Sequence, residues 1–181
     1  YASESRYRLC APPRILFIVT DDQAPWTLSA EGPPNASTPA LDRLAAEGAR
    51  FRSMFANAAV CSPARGALIS GCYPSEVGFA PDGRVWLVDE ERHLDGDVPT
   101  WPQRLRDRGY RTALIGKWHL GHEHDDFLPL RRGYQRFCGW PIGGKRSKDP
   151  NILIDGEWKE FPGAYTSDVL ADLAMAVIGE W

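Results

Sequence analysis

No apolar run in this chain approaches the roughly 18 residues that a membrane-spanning helix needs, so no segment reads as crossing a bilayer. Basic charge is not in excess either. The 21 Lys and Arg stand against 24 Asp and Glu, a net charge of -3 at pH 7, which gives no field for nucleic acid. The cysteines, Cys10, Cys61, Cys72 and Cys138, form no CxxC pair, so the usual spacing of a structural zinc site is missing. Repeats and low-complexity tracts are absent. Residues 1–13 hold no apolar signal core, which leaves a cytoplasmic and an exported location both open. What remains is 181 residues, 43% hydrophobic and 25% charged. That is a globular composition, long enough for one domain with its own core.

Residues 1–14 are polar and proline-bearing and read as a lead-in. Ile15-Leu16-Phe17-Ile18-Val19 is a continuous apolar run of strand length. Without alternation, such a run suits a strand covered on both faces, as in a parallel α/β sheet. Asp21 and Asp22 follow at its C-terminal end, where open α/β sheets gather ligands. Taken alone, the pair is either a metal site or a solvated turn. Thr38 caps a helix opened by Pro39 and closed by Gly48, with Leu41, Leu44 and Ala45 as its apolar stripe. Phe51, Ser53 and Phe55 alternate with Arg50 and Arg52 and suggest a short strand leading to Cys61, which completes a βαβ-like unit.

Residues 72–99 read as a long surface excursion. Thr100 caps the next helix, Gly109 ends it, and residues 110–115 read as a buried strand closed by Gly116. Asp155-Gly156 between apolar flanks signals a hairpin. Thr166 or Ser167 caps a last helix with Val169, Leu170, Leu173, Ala174 and Val177 on one face.

Between these elements lies Cys-Ser-Pro-Ala-Arg-Gly-Ala-Leu-Ile-Ser-Gly, residues 61–71. Ser62 and Pro63 suit the start of a helix, residues 65–70 its body and Gly71 its end, which puts Cys61 just ahead of a helix N-terminus. Unpaired N–H groups and the positive end of the dipole favour a thiolate or a bound anion there, and Arg65 lies about one turn on. A free cysteine is often simply part of a core, so the wider pattern decides. Lys117 and His119 leave the strand at 110–115 two residues apart, and on strand-like backbone they share a face. His122 and His124, beside Asp125 and Asp126, read as a solvated loop in preference to a zinc cluster.

Cys-x-Pro-x-Arg followed by Ser-Gly resembles the signature of the formylglycine-dependent (type I) sulfatases, in the alkaline-phosphatase-like superfamily. Gly116-Lys117-Trp118-His119-Leu120-Gly121 resembles a second signature of that family. The apolar strand ending in Asp21-Asp22 and the run Thr38-Pro-Ala-Leu-Asp-Arg-Leu-Ala are two more, all in the family's order. The resemblance implies an α/β fold with a mainly parallel central sheet flanked by helices. In it, residues 15–181 form the N-terminal part of the sulfatase α/β domain, an incomplete domain without its remainder or the smaller C-terminal domain.

The resemblance also implies a chemistry, hydrolysis of sulfate monoesters. A formylglycine-generating enzyme converts Cys61 to an aldehyde, whose hydrate is the nucleophile. One hydroxyl attacks sulfur in line to give a covalent sulfate ester. The other then loses its proton, and sulfate leaves as the aldehyde re-forms. Asp21, Asp22 and oxidised Cys61 are implied ligands of Ca²⁺, with Mg²⁺ as the alternative hard cation. Arg65 would hold the modified residue, Lys117 would contact a sulfate oxygen, and His119 would hydrogen-bond the nucleophile and take its proton.

The family completes its metal shell with a downstream Asp–Asn-type pair and adds a further lysine and histidine. No such segment follows Gly121, so the chain by itself is expected to be nearly inactive. Two other readings stand beside this one: a phosphate or phosphonate monoester hydrolase of the same superfamily, and a non-catalytic truncated remnant that binds an anion or a partner. With Cys61 assigned, three cysteines remain, an odd number that implies no disulfide framework.

Overall fold

The structure is a computed structural model that describes residues 12–31, 37–79, 93–144 and 146–181. Most of the lead-in and residues 80–92 of the expected excursion lie outside the described residues. The chain divides into two compact units, Tyr1–Ser53 and Met54–Trp181.

The first unit holds helix α1 (Pro39–Glu47). Pro39 occupies the first turn, where a missing N–H costs nothing. Gly48 follows the last turn, and a Cβ there would fall 2.9 Å from the Leu44 carbonyl oxygen. Thr38 precedes the helix, but its hydroxyl does not cap it. Instead it donates to Asp42 Oδ1 at 3.0 Å, while Ser29 Oγ donates to Asp42 Oδ2 at 2.7 Å and the Ala30 N–H donates at 3.1 Å. The Ser29 hydrogen bond leads in holding the Asp42 carboxyl below its usual range.

The strands expected at residues 15–19 and 51–55 do not form: neither run belongs to a described strand. Side chains of the first run stay 46–70% exposed, and Phe55 is 86% exposed. An apolar run gains from strand geometry only when a ladder and a cover come with it. In place of a βαβ unit, the described residues of the first unit hold a single 3-10 turn (Pro25–Thr27) and α1.

The second unit is α/β, as expected. Its described strands, β1 (Ala113–Lys117), β2 (Arg136–Trp140), β3 (Asn151–Ile154) and β4 (Glu157–Glu160), lie side by side in that order. The sheet opens with the parallel pair β1–β2, in register from Ala113 opposite Arg136 to Lys117 opposite Trp140. It closes with two antiparallel pairings. Glycines let the parallel strands approach: a Cβ on Gly139 would fall 1.8 Å from the oxygen of its partner Gly116. The β3–β4 turn is Asp155-Gly156, both at positive φ (50° and 105°), as a two-residue hairpin turn requires.

Helices α2 (Cys61–Ser70), α3 (Trp101–Arg106) and α4 (Thr166–Glu180) accompany the sheet. Thr100 caps α3 as expected: its hydroxyl accepts the Gln103 N–H, and Gln103 Oε1 accepts the Thr100 N–H at 2.9 Å. The core joins Ile69 of α2 to Val77, Phe79, Leu94, Trp118, Leu120, Tyr134, Phe137 and Leu153.

One buried charge organises the loop before α3. Arg132 is 3% exposed, and its Nη atoms donate to the carbonyls of Gly96 (2.8 Å), Asp95 (3.0 Å) and Val98 (2.8 Å). Arg132→Met would strip all three acceptors of a donor. At roughly 1–3 kcal/mol per unsatisfied buried group, it is expected to cost about 3 kcal/mol or more, read as a lower urea midpoint. An unchanged midpoint would show that the clasp is dispensable.

Candidate active site

Helix α2 starts two residues earlier than a cap at Ser62 would place it. Val60 is its N-cap and Cys61 its first residue, with no side-chain cap from Ser62. Pro63 still falls in the first turn, and Gly71 ends the helix in left-handed geometry, φ 76°. The buried face is made of Ser62, Pro63, Gly66, Ala67 and Ile69, all small or apolar, so the helix can press close: a Cβ on Gly66 would meet the Phe79 ring at 2.7 Å. This packing leaves Cys61 half-buried at the helix N-terminus, among N–H groups with no intrahelical acceptor.

One turn on, Arg65 reaches across to β1. Its Nη1 donates to the Lys117 carbonyl at 2.8 Å, which ties the Cys61 helix to the end of the strand that carries Lys117 and His119. Tyr134 lies close enough to Arg65 to feel its charge. Burial pushes the Tyr134 phenol well above its ordinary value, and the guanidinium pulls the other way. Tyr134 also meets Trp118 edge-on, with ring centroids 6.2 Å apart.

Beyond Lys117 the chain keeps its partner. The Trp118 N–H donates to the Trp140 carbonyl at 3.0 Å and the His119 N–H to that of Pro141 at 2.9 Å. Lys117 and His119 do not simply alternate on extended backbone, because His119 sits at φ 59°. That conformation costs a non-glycine residue on the order of 1 kcal/mol or more and persists where surroundings enforce it, often at functional sites. The imidazole is 8% exposed.

Asp21 and Asp22 belong to the first unit, exposed, with Asp22 at φ 53°. Adjacent exposed carboxylates are hard oxygen donors of the kind Ca²⁺ and Mg²⁺ take, but among the described residues no group of three or more His, Cys, Asp or Glu is gathered to hold a metal ion. The histidine loop is occupied locally. His122 Nε2 lies 2.8 Å from Glu123 Oε1, while His93 stacks on Phe127 at 3.6 Å and His124 meets that ring edge-on.

Sequence reasoning missed Tyr134 and Gly143. Tyr134 carries no motif. Gly143 lies in the glycine-bearing stretch after β2, and the C-terminal end of a parallel strand was the one available signal.

The second unit thus defines an α/β protein with a cysteine-bearing helix start, an arginine, a lysine and a histidine carried at or next to the C-terminal end of a parallel strand. The Sulfatase family model matches residues 13–180. The chain is 41% identical over 180 residues to the steryl-sulfatase of Mus musculus, covering 94% of this chain and 29% of that protein. It is 38% identical over 168 residues to arylsulfatase A of Homo sapiens, covering 92% and 32%. Among solved structures, BT4656 in complex with its substrate D-glucosamine-2-N,6-O-disulfate matches with a TM-score of 0.76 and 30% identity, over 93% of this chain and 31% of that one. Ps i-CgsB matches with a TM-score of 0.81 at 22% identity, over 90% and 40%, a likeness of fold alone. The chain belongs to the sulfatase family. It spans about a third or less of the length of these curated relatives (29% and 32%).

Burial, helped by the nearby His124 and Arg132 charges and opposed by Asp95, holds the His93 imidazole below its ordinary value of 6.5. The unfolded chain therefore takes up this proton first. The stability His93 contributes is complete above pH 6.5 and is lost as the pH falls through the lower folded value. The melting temperature is expected to fall below pH 6.5, and less steeply in a His93→Gln variant. Parallel profiles for the two proteins would contradict this.

Proposed function

We propose that the chain supplies the nucleophile-bearing part of a sulfuric ester hydrolase that cleaves sulfate monoesters. The observation that carries this reading is the Arg65 hydrogen bond to the Lys117 carbonyl, which couples the Cys61 helix to the Lys117–His119 stretch within one unit. Supporting it are the family membership and the sulfatase names of the relatives.

Cleavage of a sulfate monoester needs a nucleophile, neutralisation of the sulfuryl oxygens and a place for a proton. Formylglycine made from Cys61 is the nucleophile in this reading, and the helix N-terminus around it favours negative charge. Arg65 is spent partly on the Lys117 carbonyl, so it acts as a fixed cation that orients its surroundings. Lys117 offers a compact point charge to a sulfate oxygen. His119, held in one backbone geometry, takes the proton of the nucleophile. Asp21 and Asp22 would hold a divalent cation, Ca²⁺ by the family resemblance, and such a cation would supply positive charge suited to sulfate oxygens.

Two carboxylates supply only part of the roughly 6–8 oxygens that Ca²⁺ prefers. The 181-residue chain alone is therefore expected to hydrolyse aryl sulfates at close to background rate. Robust turnover would contradict that expectation.

Maturation gives the decisive test. On co-expression with a formylglycine-generating enzyme, the Cys61 peptide is expected to lose about 18 Da as the thiol becomes an aldehyde. An unmodified thiol would overturn the reading and favour a non-catalytic, anion-binding role.

A further inference from the structure

We infer that Gly143 is a positioning residue for His119: the imidazole occupies the space that a side chain at 143 would fill. A Cβ built on Gly143 would lie 2.9 Å from both Cε1 and Nε2 of His119 and 3.6 Å from Cδ2. Contacts near 2.9 Å are well inside van der Waals separation, so the ring or the loop has to move.

The loop has little room to do so. Its strand continues beside that of His119 through the Trp118-to-Trp140 and His119-to-Pro141 hydrogen bonds, and the Trp140 indole N–H donates to the Gly143 carbonyl at 3.3 Å. The ring is equally confined, 8% exposed on a backbone at φ 59°. Gly143 is not among the glycines at positive φ, so space, not backbone freedom, is what the missing side chain provides. Its neighbour Gly144 has nothing within 4 Å of a built Cβ and serves as an internal control.

The functional weight of this packing rests on the reading of His119 as a proton carrier, whereas the packing is tested without it. Thermal unfolding of the 181-residue chain compares Gly143→Ala, Gly144→Ala, His119→Ala and the Gly143→Ala/His119→Ala double variant. Gly143→Ala is expected to lower the melting temperature by about 3–8 °C, as overpacking does, and Gly144→Ala to leave it in place. With the ring removed, Gly143→Ala should cost little. If the single variant fails to fold, the double variant should recover the fold.

Imidazole NMR supplies a second readout. Gly143→Ala should displace the His119 ring signals and leave those of His93, His122 and His124 unchanged. Equal loss in both backgrounds, a double variant that stays unfolded, or unmoved His119 signals would overturn the inference. Failure of the sulfatase reading would look different, with Cys61 remaining a thiol while the coupling between residues 119 and 143 persists.

Discussion

The hydrogen bond from Arg65 to the Lys117 carbonyl spans 52 positions of sequence, and the site in the second unit depends on it. A guanidinium is a planar, permanent cation, and its donation to a carbonyl is a charge-assisted bond with defined direction. The apolar packing of helix α2 against Phe79 and its neighbours has no comparable direction, which this bond adds. With it, the helix start that carries Cys61 is tied to the last residue of β1. The same bond engages the backbone carbonyl of Lys117 rather than its side chain.

The strand end is in turn set by the close approach of β1 and β2. Gly116 and Gly139 face each other across the parallel ladder, and the Gly116 backbone leaves no room for a Cβ on Gly139. Past the strands the two chains stay joined, so His119 is carried into its unfavourable φ by backbone bonds made before and at that residue. Strain of this kind survives only where neighbouring structure enforces it. The zipped backbone supplies that enforcement, and the bare Gly143 leaves room for the ring.

Much of this was legible in the residues. Pro39 and Gly48 marked α1, Thr100 with Gln103 marked the start of α3, Gly71 marked the end of α2, and Asp155-Gly156 marked the hairpin, because capping and positive φ are local chemistry. The strands expected at 15–19 and 51–55 failed because hydrophobicity states a need for cover without supplying it. Arg132 was invisible for the opposite reason: its three carbonyl partners lie more than 30 positions away and carry no side-chain signature. Gly143 and Tyr134 are site neighbours by tertiary packing alone. Cys61, Arg65, Lys117 and His119 were legible as motif residues, whereas the contact that joins their elements was not.

Native-state cross-linking with a short amine-to-thiol reagent asks most directly whether Cys61 and Lys117 attend the same small anion. Mass spectrometry of the digest should find the Cys61 peptide joined to the Lys117 peptide in preference to those of Lys148 and Lys159, and an Arg65→Met variant should lose most of that product. A Cys61 thiol that reacts freely yet never links to Lys117 would mean that the helix start and the strand end do not serve one site.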